Sequence, residues 1–380
     1  MALTFVLIGL AVSSAGLNLW QWIAACRFPL HKREPIDPGK QPGVTLLKPL
    51  KGCDSETLSC IESWFRQDYP APVQILCGVA SADDLVCDVV RSLIAKHPGA
   101  NAQLVICSGD LGANAKVSTL IQLEALASHS ILIASDADVS VPMDFLSQVA
   151  VRFCGPEIGL VNCFYRLENV RNTAMQWEAV AINADFWSQV LQGNSIKSMD
   201  FALGAVMAVR RESLQRIGGF ASLADYLADD YQLGNKIAKM GGAICMMPVV
   251  ASCQSEAMGW HEVWNHQLRW VRTIRVCQPT PWFCSILSNA TFWPLLVAIV
   301  WKSRLSFVLL AVALLLRIGT AQHNQFRLTQ STRHVMYFWI VPLKDLLHLA
   351  LWVASFLGSV VVWRGVTYRV LRGGKLLIVK

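Results

Sequence analysis

The chain has 380 residues, of which 54% are hydrophobic and only 16% charged, with a net charge of +7. This composition excludes a disordered or strongly acidic protein and leans toward membrane proteins. Twelve cysteines, scattered through apolar runs with no C-x-x-C pair, exclude a disulfide scaffold or zinc finger and read as buried residues of a reduced compartment.

From Leu3 to Cys26 no residue is charged, and the segment is long enough to span a bilayer. It lacks a basic n-region and a small-x-small cleavage site, so residues 1–26 read as a retained anchor. The basic flank Arg27, His31, Lys32 and Arg33 lies C-terminal to it, which places the N-terminus outside and the middle of the chain in the cytoplasm. Residues 27–280 have the composition of an ordinary α/β domain, with an interfacial segment near 260–280. Residues 281–363 carry three further apolar stretches, Pro281 to Trp301, Leu305 to Leu316 and Val335 to Trp363. Residues 364–380 read as a basic tail with Arg364, Arg369, Arg372 and Lys375. Three crossings after a cytoplasmic domain would put that tail outside, against the positive-inside rule, so one of the last two stretches is expected not to span. Basic clusters beside apolar segments point to anionic lipid headgroups, and no aromatic-basic stripe of the kind that tracks nucleic acid is present.

Within the middle domain, strands are expected at Val44 to Leu47, Val73 to Val79, Gln103 to Cys107 and Ser130 to Ala134. Helices are expected at Leu58 to Arg66, Leu85 to Lys96 and Lys116 to Ala127. Strands alternating with helices imply βαβ units and a mostly parallel sheet, in which ligands sit beyond the carboxyl ends of the strands. Asp83, Asp84, Asp136 and Asp138 fall just beyond such ends. Asp136 and Asp138 lie one residue apart, on the same side of the chain, and suit a hard divalent cation such as Mg²⁺ that takes its other ligands from water and substrate phosphates. A second acidic pair, Asp229-Asp230, opens a helical pattern running to Lys239, and Gln267-Leu268-Arg269-Trp270 lies in a Trp- and Arg-rich segment.

Together these residues can serve a nucleotide-sugar. Asp136 and Asp138 hold the metal, Arg269 binds the diphosphate through its planar fork, Trp270 walls the site, and Asp230 or Asp229 takes a proton from an acceptor hydroxyl. Plainer readings stand beside each: first-turn acids for Asp229 and Asp230, a helix cap for Asp83-Asp84, and an interfacial anchor for Arg269-Trp270. His261 and His266 are five residues apart, not four, and so do not share a zinc-binding helix face. Lys344, Asp345 and His348 stand in the last apolar stretch; the simpler reading is an interfacial segment or mutual neutralisation of Lys344 and Asp345.

The run Val44 to Gly52 (VTLLKPLKG) resembles the opening of ceramide glucosyltransferases, inverting membrane glycosyltransferases of GT-A fold, glycosyltransferase family 21. The resemblance continues through Gln67 to Pro70, Gly112 to Val117, Ser135 to Val139, Gly218 to Phe220, Leu227 to Tyr231, and Gln267 to Trp270, the last read as a Q-x-x-R-W signature. It implies an α/β GT-A domain with a mostly parallel sheet, flanked by transmembrane helices. It implies that Asp83 or Asp84, Lys116, Asp136, Gln267, Arg269 and Trp270 meet the donor, that Asp136 and Asp138 hold Mg²⁺ or Mn²⁺, and that Asp230, beside Asp229, is the base. Glucose would pass from UDP-glucose to ceramide in a multi-pass protein of a bacterial inner membrane. One departure stands out: the animal enzymes have Asp-Ser-Gly where this chain has Asp136-Ala137-Asp138. Bacterial hopanoid-pathway enzymes that use UDP-N-acetylglucosamine are similar to a comparable degree. Other classes are a processive polysaccharide synthase, which needs more crossing helices, and a non-catalytic membrane protein with a degenerate domain.

Overall fold

The computed structural model describes residues 2–37, 39, 41–363, 365–371 and 373–379; Arg364 and Arg372 of the expected basic tail lie outside the described residues. Its centre is an eight-stranded sheet. Strands β1 (Val44–Leu50), β2 (Val73–Val79), β3 (Asn101–Ile106) and β4 (Ile131–Ser135) are parallel in the order β3-β2-β1-β4, with Val44 opposite both Val73 and Ile131. Helices Thr57–Phe65, Val86–Lys96 and Ala115–Leu126 make the crossovers. All seven residues of β1 are buried, as expected of a strand covered on both faces.

The sheet continues through β5 (Val139–Ser140), β6 (Ile158–Leu167), β7 (Val206–Arg210) and β8 (Ala243–Cys253), in the full order β3-β2-β1-β4-β7-β6-β8-β5. β7 runs antiparallel to β4 and β6, whereas β6 and β8 are parallel. Pattern reading did not anticipate β6 and β8. Their pairing shifts register between Ile158 and Leu160 and between Cys163 and Phe164, which breaks the alternation. One apolar core, around Ile61, Trp64, Phe145 and Trp187, lies on one side of the sheet. Val117, Leu120, Leu214, Phe220 and Ile237 belong to a second.

Among the described residues, two helices are long and apolar enough to cross a membrane, Ala2–Arg27 and Arg304–Thr329. The stretch beginning at Pro281 is a bent pair, Pro279–Ser288 and Phe292–Trp301, at 50°, which makes up to three if the pair is one span. The short stretch expected at Leu305 to Leu316 is part of a 26-residue helix, because Arg317 is buried against acids and so does not end it. The stretch Val335 to Trp363 divides into helix Ile340–Phe356 and strand β9 (Val360–Trp363).

Four charges meet inside this region. Arg317 donates to Asp185 Oδ2 at 2.8 Å and to both oxygens of Asp345 at 2.8 and 2.9 Å; Lys344 Nζ lies 2.5 Å from Asp185 Oδ2 and 3.7 Å from Asp345 Oδ1. Thr291 Oγ1 adds a bond to Asp345 at 2.7 Å. Lys344 and Asp345 are thus neutralised inside the protein, each with a closer partner than the other. Asp185 reaches the network from a π-helical turn, Ala181–Phe186.

The stretch expected as a basic tail folds. β9, β10 (Val366–Val370) and β11 (Leu376–Ile378) form an antiparallel sheet. It docks on the half that carries the large sheet: Leu227 N–H donates to Gly374 O at 3.0 Å, Leu376 N–H to Asp225 O at 2.7 Å, and Arg275 to Gly358 O at 3.1 Å. Alternating apolar residues bury Val361, Tyr368, Val370 and Leu376 against Leu227, which explains why this basic segment is ordered.

Candidate active site

β4 ends at Ser135 and delivers Asp136 into a tight turn in which Val139 N–H donates to Asp136 O at 3.4 Å. Lys48 of β1 supports that turn from beneath. Its fully buried ammonium donates to Ser135 Oγ at 3.1 Å, to Val139 O at 3.3 Å and to Asp136 O, and lies 5.4 Å from the Trp64 ring centroid. Burial pulls this ammonium down to about 8.

Lys116, in the first turn of the helix Ala115–Leu126, joins the two acidic motifs. Its Nζ is 2.8 Å from Asp136 Oδ1 and 3.1 Å from Asp229 Oδ2. Burial alone would lower it, but the two carboxylates outweigh burial and hold it above the ordinary lysine value. Asn114 caps this helix by accepting from Val117 N–H at 3.2 Å, and its amide donates to Tyr226 O at 2.8 Å. The helix start is thereby fastened to the loop that leads to Asp229.

Asp230 follows on the helix Asp229–Lys239, with Oδ1 accepting from Tyr231 N–H at 2.7 Å. Burial first, and the neighbouring Asp229 second, push its carboxyl up to about 7. Two glycines make this placement possible. A Cβ on Gly204 would stand 2.9 Å from Asp230 Oδ2, and one on Gly234 would stand 2.3 Å from the backbone of Phe201 and Ala202. Asp136, Asp229, Asp230 and Lys116 therefore form one site; Asp138 stands beside it, exposed.

The remaining expected residues divide. Asp84 accepts from Gly52 N–H at 3.0 and 3.1 Å and from Val86 N–H at 3.0 Å, so it ties the loop after β1 to a helix start; Asp83 is exposed. Arg269 lies over the Trp363 ring of the C-terminal sheet, 5.9 Å from its centroid. Trp270 packs on His266, centroids 4.9 Å apart, and on Phe186 at 6.2 Å. The signature reading needs correction: a Q-x-x-R-W spacing starts four residues before Trp270, at His266, and Gln267 comes one residue late. Gln267 is buried and donates to Glu178 Oε1 at 2.9 Å.

Sequence reading missed the placement of Lys48 under the Asp136 turn and the contact of Glu178 with His266 and Gln267. A signal existed for Glu178: it and Asp185 are the only charged residues between Asn172 and Gln192. For the metal, no group of three or more His, Cys, Asp or Glu side chains is placed to hold an ion among the described residues. Two carboxylates at Asp136 and Asp138 fit Mg²⁺ or Mn²⁺, which keep waters and phosphate oxygens as their other ligands. The surrounding surplus of negative charge, with Asp229 and Asp230 against Lys116, also suits a cation.

Glycosyl transferase family 21 matches residues 3–376. Ceramide glucosyltransferase 3 of Caenorhabditis elegans is 26% identical over 251 residues, 65% of this chain and 53% of the relative. Ceramide glucosyltransferase of Candida albicans is 30% identical over 138 residues, 33% of this chain and 25% of the relative. The chain thus spans about half, or less, of the length of the curated relatives it matches. Mannosyltransferase PcManGT from Pyrobaculum calidifontis, solved with GDP-Man and Mn²⁺, superposes with a TM-score of 0.57 over 93% of this chain and 98% of its own, at 21% identity. That likeness shows the fold, which is GT-A.

Proposed function

The chain belongs to glycosyl transferase family 21, and on that footing we propose that it transfers a sugar from a nucleotide-sugar to a membrane lipid alcohol with inversion. The specific donor and acceptor proposed are UDP-glucose and ceramide; the relatives' name, ceramide glucosyltransferase, supports the sugar and the acceptor. The observation that carries the reading is the Lys116 bridge, which gathers Asp136, Asp229 and Asp230 from a strand end and a helix start.

In this reading Asp230 takes the proton from the acceptor hydroxyl as its oxygen attacks the anomeric carbon. A carboxyl raised to about 7 is poised for that work near neutrality. Asp136 and Asp138 would hold Mg²⁺ or Mn²⁺, which when bound neutralises charge on the leaving diphosphate. Lys116 keeps Asp136 and Asp229 in register, and Arg269 is assigned to the diphosphate, with Trp270 beside the acceptor. Asp84, with Asp83, is assigned to the nucleotide side.

The proposed organisation is an N-terminal anchor over residues 1–26, a cytoplasmic catalytic unit over 27–280 and membrane segments after 281. The bonds of Leu227 to Gly374 and Leu376 to Asp225 support a C-terminus on the same side as the catalytic unit, and hence an even number of crossings between them. The bent pair and the helix Arg304–Thr329 supply two. The test is the purified full chain with UDP-glucose, UDP-N-acetylglucosamine and each of ceramide, a hopanoid alcohol and no lipid, read by mass spectrometry. Glucosylceramide is expected; an elongated glycan or a glycosylated hopanoid would overturn the assignment.

A further inference from the structure

Glu178 is a buried acid that the proposed chemistry leaves unused. It sits on the helix Thr173–Val180 and is 1% exposed. Its Oε1 accepts from two residues of the helix Trp260–Cys277, His266 Nδ1 at 2.5 Å and Gln267 Nε2 at 2.9 Å. Its Oε2 is buried with no hydrogen-bond partner among the described residues. A desolvated carboxylate with one oxygen bare is costly, and an apolar side chain of similar volume would hold two helices together at less cost.

His266 faces the other way. Its side chain is 30% exposed, its ring rests on Trp270, and among the described residues its Nε2 has no protein partner. The pair borders the acidic site through a run of rings: His266 rests on Trp270, Trp270 on Phe186 at 6.2 Å and Phe186 on Tyr165 of β6 at 5.6 Å, and Trp270 packs on the same core as Ala137, which lies between Asp136 and Asp138. A carboxylate on Nδ1 fixes which ring nitrogen carries the proton and leaves a lone pair on the other.

We infer that Glu178 is a positioning residue for the acceptor, acting through His266. It holds the imidazole with Nδ1 protonated, so that Nε2 takes a hydrogen bond from a hydroxyl or amide N–H of the lipid head group beside the reacting oxygen. Asp230 keeps the role of base. The inference rests on the reading that the acceptor is a lipid alcohol.

The test uses the full chain in detergent, UDP-glucose, and short-chain ceramide in mixed micelles. Glu178→Gln and His266→Ala are each expected to raise the acceptor KM about tenfold, and the double variant no further than His266→Ala alone. Affinity for UDP, and kcat at saturating acceptor, stay within about twofold of wild type. His266→Gln, which keeps an acceptor atom at that place, holds the acceptor KM within about threefold. Additive effects, a fall in UDP affinity, or a lost kcat with unchanged KM would overturn the inference. Should Glu178→Gln fail to fold, the two His266 variants, made on the exposed side, decide alone. Wild-type chain that binds UDP-glucose but glucosylates no lipid overturns the parent reading, and this inference with it.

Discussion

Two of the charged networks in this chain are built on opposite plans. At the apolar end, Arg317 and Lys344 face Asp185 and Asp345 in a buried set of two cations and two anions. At the carboxyl ends of the strands, Lys116 faces Asp136, Asp229 and Asp230, with Lys48 beneath the Asp136 turn. The first is balanced, and every charge in it has a partner of opposite sign. The second carries excess negative charge that burial makes expensive, and one carboxyl answers by shifting up to about 7. A balanced buried network holds helices in register, whereas an unbalanced one stores a demand for a cation or a proton. That difference, more than burial itself, is why we propose the second as the working site.

The sharpest way to break the comparison is Asp230→Asn. Loss of the proposed base should lower kcat by about 10²–10⁴-fold, measured as sugar transfer under saturating substrates. The same variant should be more heat-resistant above pH 7. A carboxyl whose folded value is raised stabilises the fold fully only below its unfolded value, and that stability is lost as pH rises toward about 7. Asparagine cannot lose it. A melting temperature that falls at pH 8 would show that Asp230 supports the fold and is not held there against its own preference.

The opposite sign is expected from the balanced network. Arg317→Met strands Asp185 and Asp345 without a shared guanidinium and should cost about 3–5 kcal/mol of stability, read by thermal unfolding in detergent. Arg317→Met combined with Asp345→Leu removes one charge of each sign and should recover much of the loss. No recovery would mean that the pairing geometry matters more than the balance.

How much of this was legible in the chain depended on what each element must do. β1 to β4 and their helices could be read because a fully covered parallel strand is a continuous apolar run between turn residues. Asp136, Asp229 and Asp230 stood out because they interrupt or follow such runs. Lys48 did not, because a lysine in a strand reads as an edge, and only the fold shows it threaded under the Asp136 turn. The C-terminal sheet was hidden by its basic residues, and its order comes from docking on Asp225 and Leu227, more than a hundred residues away in sequence. Arg317 was equally opaque: an arginine ends an apolar count, and the partners that let a helix continue through it lie on other helices.

Lys48 tests the support under the unbalanced site. Lys48→Met keeps the stem against Trp64 and removes the donor to Ser135, Asp136 and Val139. Freed carbonyls there should cost about 1–3 kcal/mol of stability, and a slackened turn should weaken donor binding about tenfold, measured by UDP titration with Mn²⁺ present. Donor affinity equal to wild type would remove Lys48 from the site and leave it a core residue.

Asp138 should give the smallest effect, and it separates the two carboxylates of the turn. Asp136 is held by Lys116 at 2.8 Å, so its loss disturbs the proposed metal ligand and the bridge to Asp229 together. Asp138 is exposed and has no such ion pair among the described residues. Asp138→Asn keeps an oxygen where a cation or its water could use it, and should weaken the Mn²⁺ dependence of nucleotide binding by about tenfold or less. Asp136→Asn should lose that dependence almost entirely, because the bridge to Asp229 fails with it. Equal losses from the two variants would mean that both carboxylates ligate on equal terms, and that Lys116 yields Asp136 to the metal when the donor arrives.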